Sequence, residues 1–147
     1  LMEELLNGEL SPTREEGIRR AAELLQQLQP IVDDEAEIGL PDPAEMAVTA
    51  LRTLGLPELA PYIAELVPEI PLWAATPPRF LAGRADAAVV EGDRIVLVVD
   101  WKSDVNPDAA AQGAHAAQLR DYLGVTGAER GAVVYMSVGH VSWVEPQ

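Results

Sequence analysis

From the amino terminus, apolar residues first recur at helical spacing and later alternate, and the change falls near Val67. Residues 1–6 fit the end of a helix closed by Asn7-Gly8, because glycine just past a helix takes a left-handed conformation without strain. In SPTREEGIRRAAELLQQLQP, the positions Ile18, Ala21, Ala22, Leu24, Leu25 and Leu28 mark one helical face. Thr13 and Glu16 form a capping box at its start, and Pro30 marks its exit. DDEAEIGLPD reads as a solvated connector. Asp42-Pro43 then supplies the cap and first position of another helix, with Glu45 in its first turn and Gly55 as its stop. A third short helix fits residues 57–66, PELAPYIAEL, if Pro61 sits in its first turns.

Beyond Val67 the period shortens to two. VPEIPLWA is an expected edge strand, because two prolines exclude a central position. Residues 82–90 and 94–101 form a hairpin around Glu91-Gly92-Asp93. Asn106-Pro107-Asp108 opens a helix as cap, first position and acidic first turn, and Gly124 closes it. RGAVVYMSV and HVSWVE are two further strands joined at Gly139. Helices, three strands, a helix and two strands predict a mixed α/β domain with one central sheet and a helical N-terminal part.

Composition narrows the class. At 147 residues with 48% hydrophobic content, the chain is expected to fold as one domain, mainly helical over 1–66 and sheet-forming over 67–147. No apolar run is long enough to cross a bilayer, and the acidic LMEELLNGEL does not read as a secretory signal. The first residue is Leu, which suggests a piece of a longer chain, and the default compartment is cytoplasmic. Without cysteine there is neither a disulfide nor a thiolate metal site. Ten Lys and Arg face twenty-four acids, a net charge of −14. A domain that grips nucleic acid alone carries a basic stripe, which is missing here.

The chemistry gathers in GRADAAVVEGDRIVLVVDWKSD, residues 83–104. Ile95–Val99 is apolar enough for burial on both faces, yet the strand ends in Asp100, Trp101 and Lys102. Side chains alternate along a strand, so Asp100 and Lys102 share one face and Trp101 takes the other. Asp86 lies one strand back. A two-residue turn, which Gly92-Asp93 favours, would put Asp86 and Asp100 on opposite faces. A three-residue loop or an equivalent bulge puts them directly opposite, and the chemistry favours that arrangement. Two such carboxylates repel unless a cation or proton lies between them, and oxygen donors without Cys or clustered His suit Mg²⁺ or Mn²⁺. Lys102 would then reach the same phosphate. Most D-x-K pairs are only solvated surface charges. Asp86, the apolar lead-in and the helix that follows set this one apart. On that helix Gln118 and Tyr122 are four apart on one face, beside the apolar Ala116, Leu119 and Leu123.

G-R-x-D, an aliphatic strand ending in D-x-K, and Q-x-x-x-Y on the next helix resemble the PD-(D/E)-x-K nuclease superfamily. The likeness is closest to the RecB-type nuclease domain at the C-terminal end of AddAB/UvrD-like helicase–nucleases. It is specific from Gly83 to Tyr122 and softer through the last two strands. The resemblance implies a restriction-endonuclease-like sheet and a Mg²⁺- or Mn²⁺-dependent deoxyribonuclease, of exonuclease or endonuclease action, in an ATP-dependent DNA-repair and recombination helicase. It makes Asp86 and Asp100 metal ligands, the Trp101 carbonyl a third donor, and Lys102 the catalytic lysine. Gln118, Tyr122 and Arg84 become supporting or DNA-contacting residues, and Glu69 an auxiliary acid. The family's usual histidine or glutamate on the opening helix has no match and is expected ahead of Leu1. Neither His115 nor His140 fits that place.

The same resemblance bears on the charge. Motor domains would deliver single-stranded or unwound DNA, with a partner subunit alongside, so the domain needs no basic funnel of its own. Arg84, Lys102 and Arg120 would make only a small positive spot. Other readings are a stand-alone nuclease, a catalytically silent structural or interaction module, and an acidic domain that binds a basic protein.

Overall fold

The computed structural model describes residues 1–28, 41–76 and 79–147, and it describes no side chain at 28 or 73–82. The Pro30 exit and connector residues 33–40 lie outside the described residues. Helix α1 spans Met2–Leu6 with Asn7 as its C-cap, and Gly8 follows at φ +79°. Helix α2 spans Arg14–Leu28, and Thr13 Oγ1 accepts from the Glu16 amide at 3.3 Å, one half of the expected capping box. Helix α3 spans Pro43–Leu54. Its Asp42 cap accepts from the Glu45 amide at 3.2 Å, and Gly55 ends it.

The expected helix over 57–66 is a run of turns ending in one 3₁₀ turn at Ile63–Glu65. Pro57 and Pro61 explain the difference, since each removes a donor that a regular helix would use. The strands are β1 (Leu66–Thr76), β2 (Arg79–Glu91), β3 (Arg94–Lys102), β4 (Arg130–Tyr135) and β5 (His140–Val144). Between β3 and β4 runs α4, Ala109–Thr126. Its cap is Asp108, which accepts from the Ala111 amide at 2.8 Å, so α4 starts later than Asn106-Pro107 implied. It also runs through Gly124 to end at Gly127, where φ is +68°. Eighteen residues suffice for a crossover, and they carry the chain to a strand parallel to β3.

The sheet order is β1-β2-β3-β4-β5, parallel only at β3–β4. It is a mixed five-stranded sheet with helices against it, and β1, with its prolines, is an edge as its sequence required. One face meets Leu56, Leu59, Tyr62 and α1 through Ala87, Val89, Leu97, Val99, Ala132 and Val134. The other meets α4 through Ala85, Val98, Val133 and Tyr135, with Leu119 and Leu123 buried between. Arg52 of α3 donates to the carbonyls of Met136 (3.0 Å) and Ser137 (2.7 Å), fastening α3 to the turn after β4. Arg20 of α2 grips the Glu4 carboxylate of α1 through Nε at 2.8 Å and 3.1 Å. No helix among the described residues is long and apolar enough to cross a membrane.

The crossover packs closely. A Cβ at Gly131 of β4 would fall 2.7 Å from Leu119 Cδ2 and Cγ, far inside van der Waals contact. Gly131→Ala is therefore expected to destabilise the fold by about 1–3 kcal/mol, as overpacked cores do. A lower urea midpoint at unchanged m-value would show it.

Candidate active site

The β2–β3 hairpin sets the site. Its turn is the two-residue Gly92-Asp93 form, with Glu91 paired to Arg94 and Gly92 at φ +65°. Alone, that turn would put Asp86 and Asp100 on opposite faces. A β-bulge between Val89 and Val90 shifts the register by one residue, so that Val89 pairs with Leu97 and Ala87 with Val99. Continuing that register brings Asp86 opposite Asp100.

A second irregularity lies at Asp86. Ala85 belongs to the core under α4, while Ala87, two residues on, belongs to the opposite core. A regular strand does not allow that. On β1, Leu66 and Ile70 are divided in the same way. Between them is Glu69, flanked by the pairs Pro68–Ala87 and Ile70–Ala85, and hence across from Asp86. Glu69 has φ +55°, a value disfavoured for any residue with a Cβ. Both strands thus exchange faces at the Glu69–Asp86 rung. Asp86 sits at the exchange, and its Oδ2 accepts from the Trp101 amide at 2.8 Å. The side chain takes the place that a β2 carbonyl would fill in an unbroken ladder.

On β3, Trp101 packs with the helical side, and Asp100 and Lys102 alternate to the α4 side as expected. Asp100 and Lys102 keep only 14% and 20% of their side-chain surface exposed, with Nζ 2.9 Å from Oδ2. That oxygen is buried, and the ammonium lies beside it without an aligned hydrogen bond. Burial raises the Asp100 carboxyl above the usual carboxylate range, Lys102 opposes the rise, and the neighbouring Asp86 adds to it. Asp100 Oδ2 is thus a buried oxygen with the Lys102 ammonium beside it and no aligned donor among the described residues. A divalent cation would satisfy it.

The donors suit such an ion. Asp86 is close enough to Asp100 for its charge to raise the Asp100 carboxyl. The Lys102 carbonyl accepts from the Met136 amide, on the β4 side. Backbone groups alternate sides along a strand, so the Trp101 carbonyl points with its amide toward β2 and Asp86. Among the described residues no group of three or more His, Cys, Asp or Glu comes together. Two carboxylates and a carbonyl fit Mg²⁺, which keeps several waters. They do not make a zinc or calcium cage.

The remaining candidates divide. Tyr122 of α4 lies against Gly83, where a Cβ would be 3.3 Å from its Cε1 and hydroxyl oxygen. The glycine of G-R-x-D and the tyrosine of Q-x-x-x-Y are thus a packing pair that fixes α4 to β2. Gln118 is exposed on α4. Arg84 is also exposed and donates to Glu69 Oε2 at 2.7 Å. His115 Nδ1 is 3.3 Å from the Tyr135 hydroxyl, and His140 stacks on the Tyr135 ring. Burial, with Asp104 and Asp100 nearby, raises the Tyr135 phenol above its ordinary range. Lys102 and Tyr135 are paired across β3 and β4, a neighbourhood the sequence did not reveal because nothing local marks a parallel register.

A cavity of about 750 Å³ opens at Asp86 between the sheet rim and the N-terminal helices. Glu69 and Trp101 line it, together with residues of α1 and α3 and the turn after β4. Asp100 and Lys102 are not among its lining residues. Asp86 therefore links two faces, with the cavity on one side and the Asp100–Lys102 pair on the other.

No protein-family model matches the chain, and no curated protein matches its sequence. Among solved structures it is similar to one described as "Crystal structure of SSO0001", at 19% identity and a TM-score of 0.46. The likeness covers 94% of this chain, which spans 65% of the length of the other. It carries no argument about function.

The backbone at Glu69 gives a test of the face exchange. Glycine in a strand is normally less stable than alanine. At φ +55° the order is expected to reverse, with Glu69→Gly more stable than Glu69→Ala by about 1 kcal/mol. Chemical denaturation of the two variants measures it, and the usual order would mean that Glu69 is not strained.

Proposed function

We propose that residues 1–147 form one metal-dependent deoxyribonuclease domain hydrolysing phosphodiester bonds, within a longer DNA-repair helicase–nuclease of the cytoplasm. The observation that carries the reading is the buried Asp100 Oδ2, without an aligned donor, between Asp86 and Lys102. The resemblance of G-R-x-D, D-x-K and Q-x-x-x-Y to the PD-(D/E)-x-K nucleases supports it, and the sheet is of the kind those motifs require.

In this reading Asp86, Asp100 and the Trp101 carbonyl hold Mg²⁺ or Mn²⁺. When bound, the ion polarises the phosphoryl oxygen and lowers the pKa of a water. Asp86 keeps the Trp101 backbone in position through the amide bond it accepts. Lys102, whose Nζ lies 2.9 Å from Asp100 Oδ2, is the cation that would steady charge on the phosphate or orient the attacking water. Tyr122 fixes α4 against Gly83, Gln118 flanks the DNA path, and Glu69 serves as an auxiliary acid that orients Arg84. With a net charge of −14, the domain depends on motor domains and a partner subunit to deliver single-stranded DNA.

A second reading is a catalytically silent nuclease-like module, which would need no ion between Asp86 and Asp100. Digestion of single-stranded DNA with Mg²⁺ or Mn²⁺ decides between them. The protein should include any residues its gene encodes ahead of Leu1. Asp100→Ala and Lys102→Ala are each expected to lose about 100-fold or more in rate, the scale of removing one charged transition-state partner. Equal cutting by all three proteins would rule out the catalytic reading.

Metal binding is tested separately by thermal unfolding. Mg²⁺ at about 100 times its dissociation constant stabilises a native site by roughly 2.7 kcal/mol. The wild type is expected to show that rise and Asp86→Ala to lose it. A rise that survives in Asp86→Ala would place the ion elsewhere.

A further inference from the structure

The chain has three methionines, and all three line the cavity that opens at Asp86. Met2 comes from α1, Met46 from α3, and Met136 from the turn after β4, so the fold brings together what the sequence scatters. Trp101 joins them on the wall. Thioether side chains are flexible and polarisable, adapt to differently shaped partners, and favour flat aromatic surfaces. The volume, about 750 Å³, lies inside the span of roughly 300–1,000 Å³ typical of small-ligand pockets.

Charge narrows the ligand further. Four carboxylates line the cavity, those of Glu3, Glu45, Glu69 and Asp86. A run of phosphates would meet repulsion along that wall, whereas an uncharged heterocycle would not. The amino groups of adenine and cytosine are donors that a carboxylate accepts. Asp86 belongs both to the cavity and to the carboxylate pair, so an occupant lies next to the proposed metal ligands.

We infer that the cavity holds one unstacked nucleobase of the strand being cut, gripped by the methionines and Trp101 while the phosphates stay outside at the sheet rim. The inference rests on the nuclease reading and adds to it a base-holding site. Sulfur and indole contacts do not distinguish one base from another, while the carboxylates would add a preference for bases that carry an exocyclic amino group.

The test uses the full-length protein with Mg²⁺ and single-stranded oligonucleotides that carry one abasic nucleotide at successive positions. One register is expected to be cut about tenfold less efficiently, the effect of losing one stacked base. Met46→Ala and Met136→Ala are expected to raise KM more than they lower kcat, with Met46→Leu in between. Uniform cutting of the abasic series overturns the inference while leaving the nuclease reading standing. If no oligonucleotide is cut, tryptophan fluorescence decides. Quenching that an abasic strand fails to produce supports the base site, and equal quenching by both strands overturns it. A lysine-rich peptide that quenches at lower concentration than DNA also overturns it, and assigns the acidic wall to a protein ligand.

Discussion

The rest of the site depends on the exchange of faces at the Glu69–Asp86 rung. An unbroken hairpin would send Asp86 wholly to one side of the sheet, away from either the cavity or the Asp100 carboxylate. Rotating both strands together keeps the backbone pairs on each side intact and leaves Asp86 pointing along the sheet, onto the Trp101 amide. The cost is an acidic residue at φ +55° in the middle of a strand. Strain of this kind persists only where surrounding structure over-determines it. Here the two cores on opposite faces do so, because each claims the residues on its own side of the rung.

The Asp100–Lys102 pair follows the same logic. Two largely buried charges forgo solvation, and their contact lacks hydrogen-bond alignment, so the pair is a weak source of stability. In the proposed nuclease reading, a divalent cation would compete with Lys102 for that oxygen. Tight packing around Leu119, Gly131 and Gly83 supplies the rigidity that the charged pair does not.

Much of this was legible in the sequence. Thr13, Asp42 and Gly55 marked helix ends through local backbone chemistry, and each acts where its residue type prescribes. The hairpin was legible in a subtler way. Turn preference and site chemistry pointed to different registers, and the protein satisfies both, with a bulge on β2 ahead of a two-residue turn. Asp108 caps α4 in place of Asn106 because either residue can cap and only tertiary context chooses. Gly124 is passed over because one glycine inside a helix costs only about 1 kcal/mol, less than the packing of Leu119 and Leu123 returns. The bend at Glu69 and the gathering of the methionines had no local signal. One arises from competition between two cores, and the other from elements remote along the chain.

The two prolines of β1 have a consequence beyond the site. An edge strand is a template for another chain, and Pro68 and Pro71 each lack the amide that one rung of such a union would need. Recruitment of a foreign strand, whether in a fibre or in a sheet shared between molecules, is thereby biased to the opposite margin at β5. There Arg130 lies over the Trp143 ring at 4.5 Å, and the first residue is a histidine. Among the described residues the sheet thus has one border interrupted by two ring-closed residues and another, at β5, whose strand has no proline.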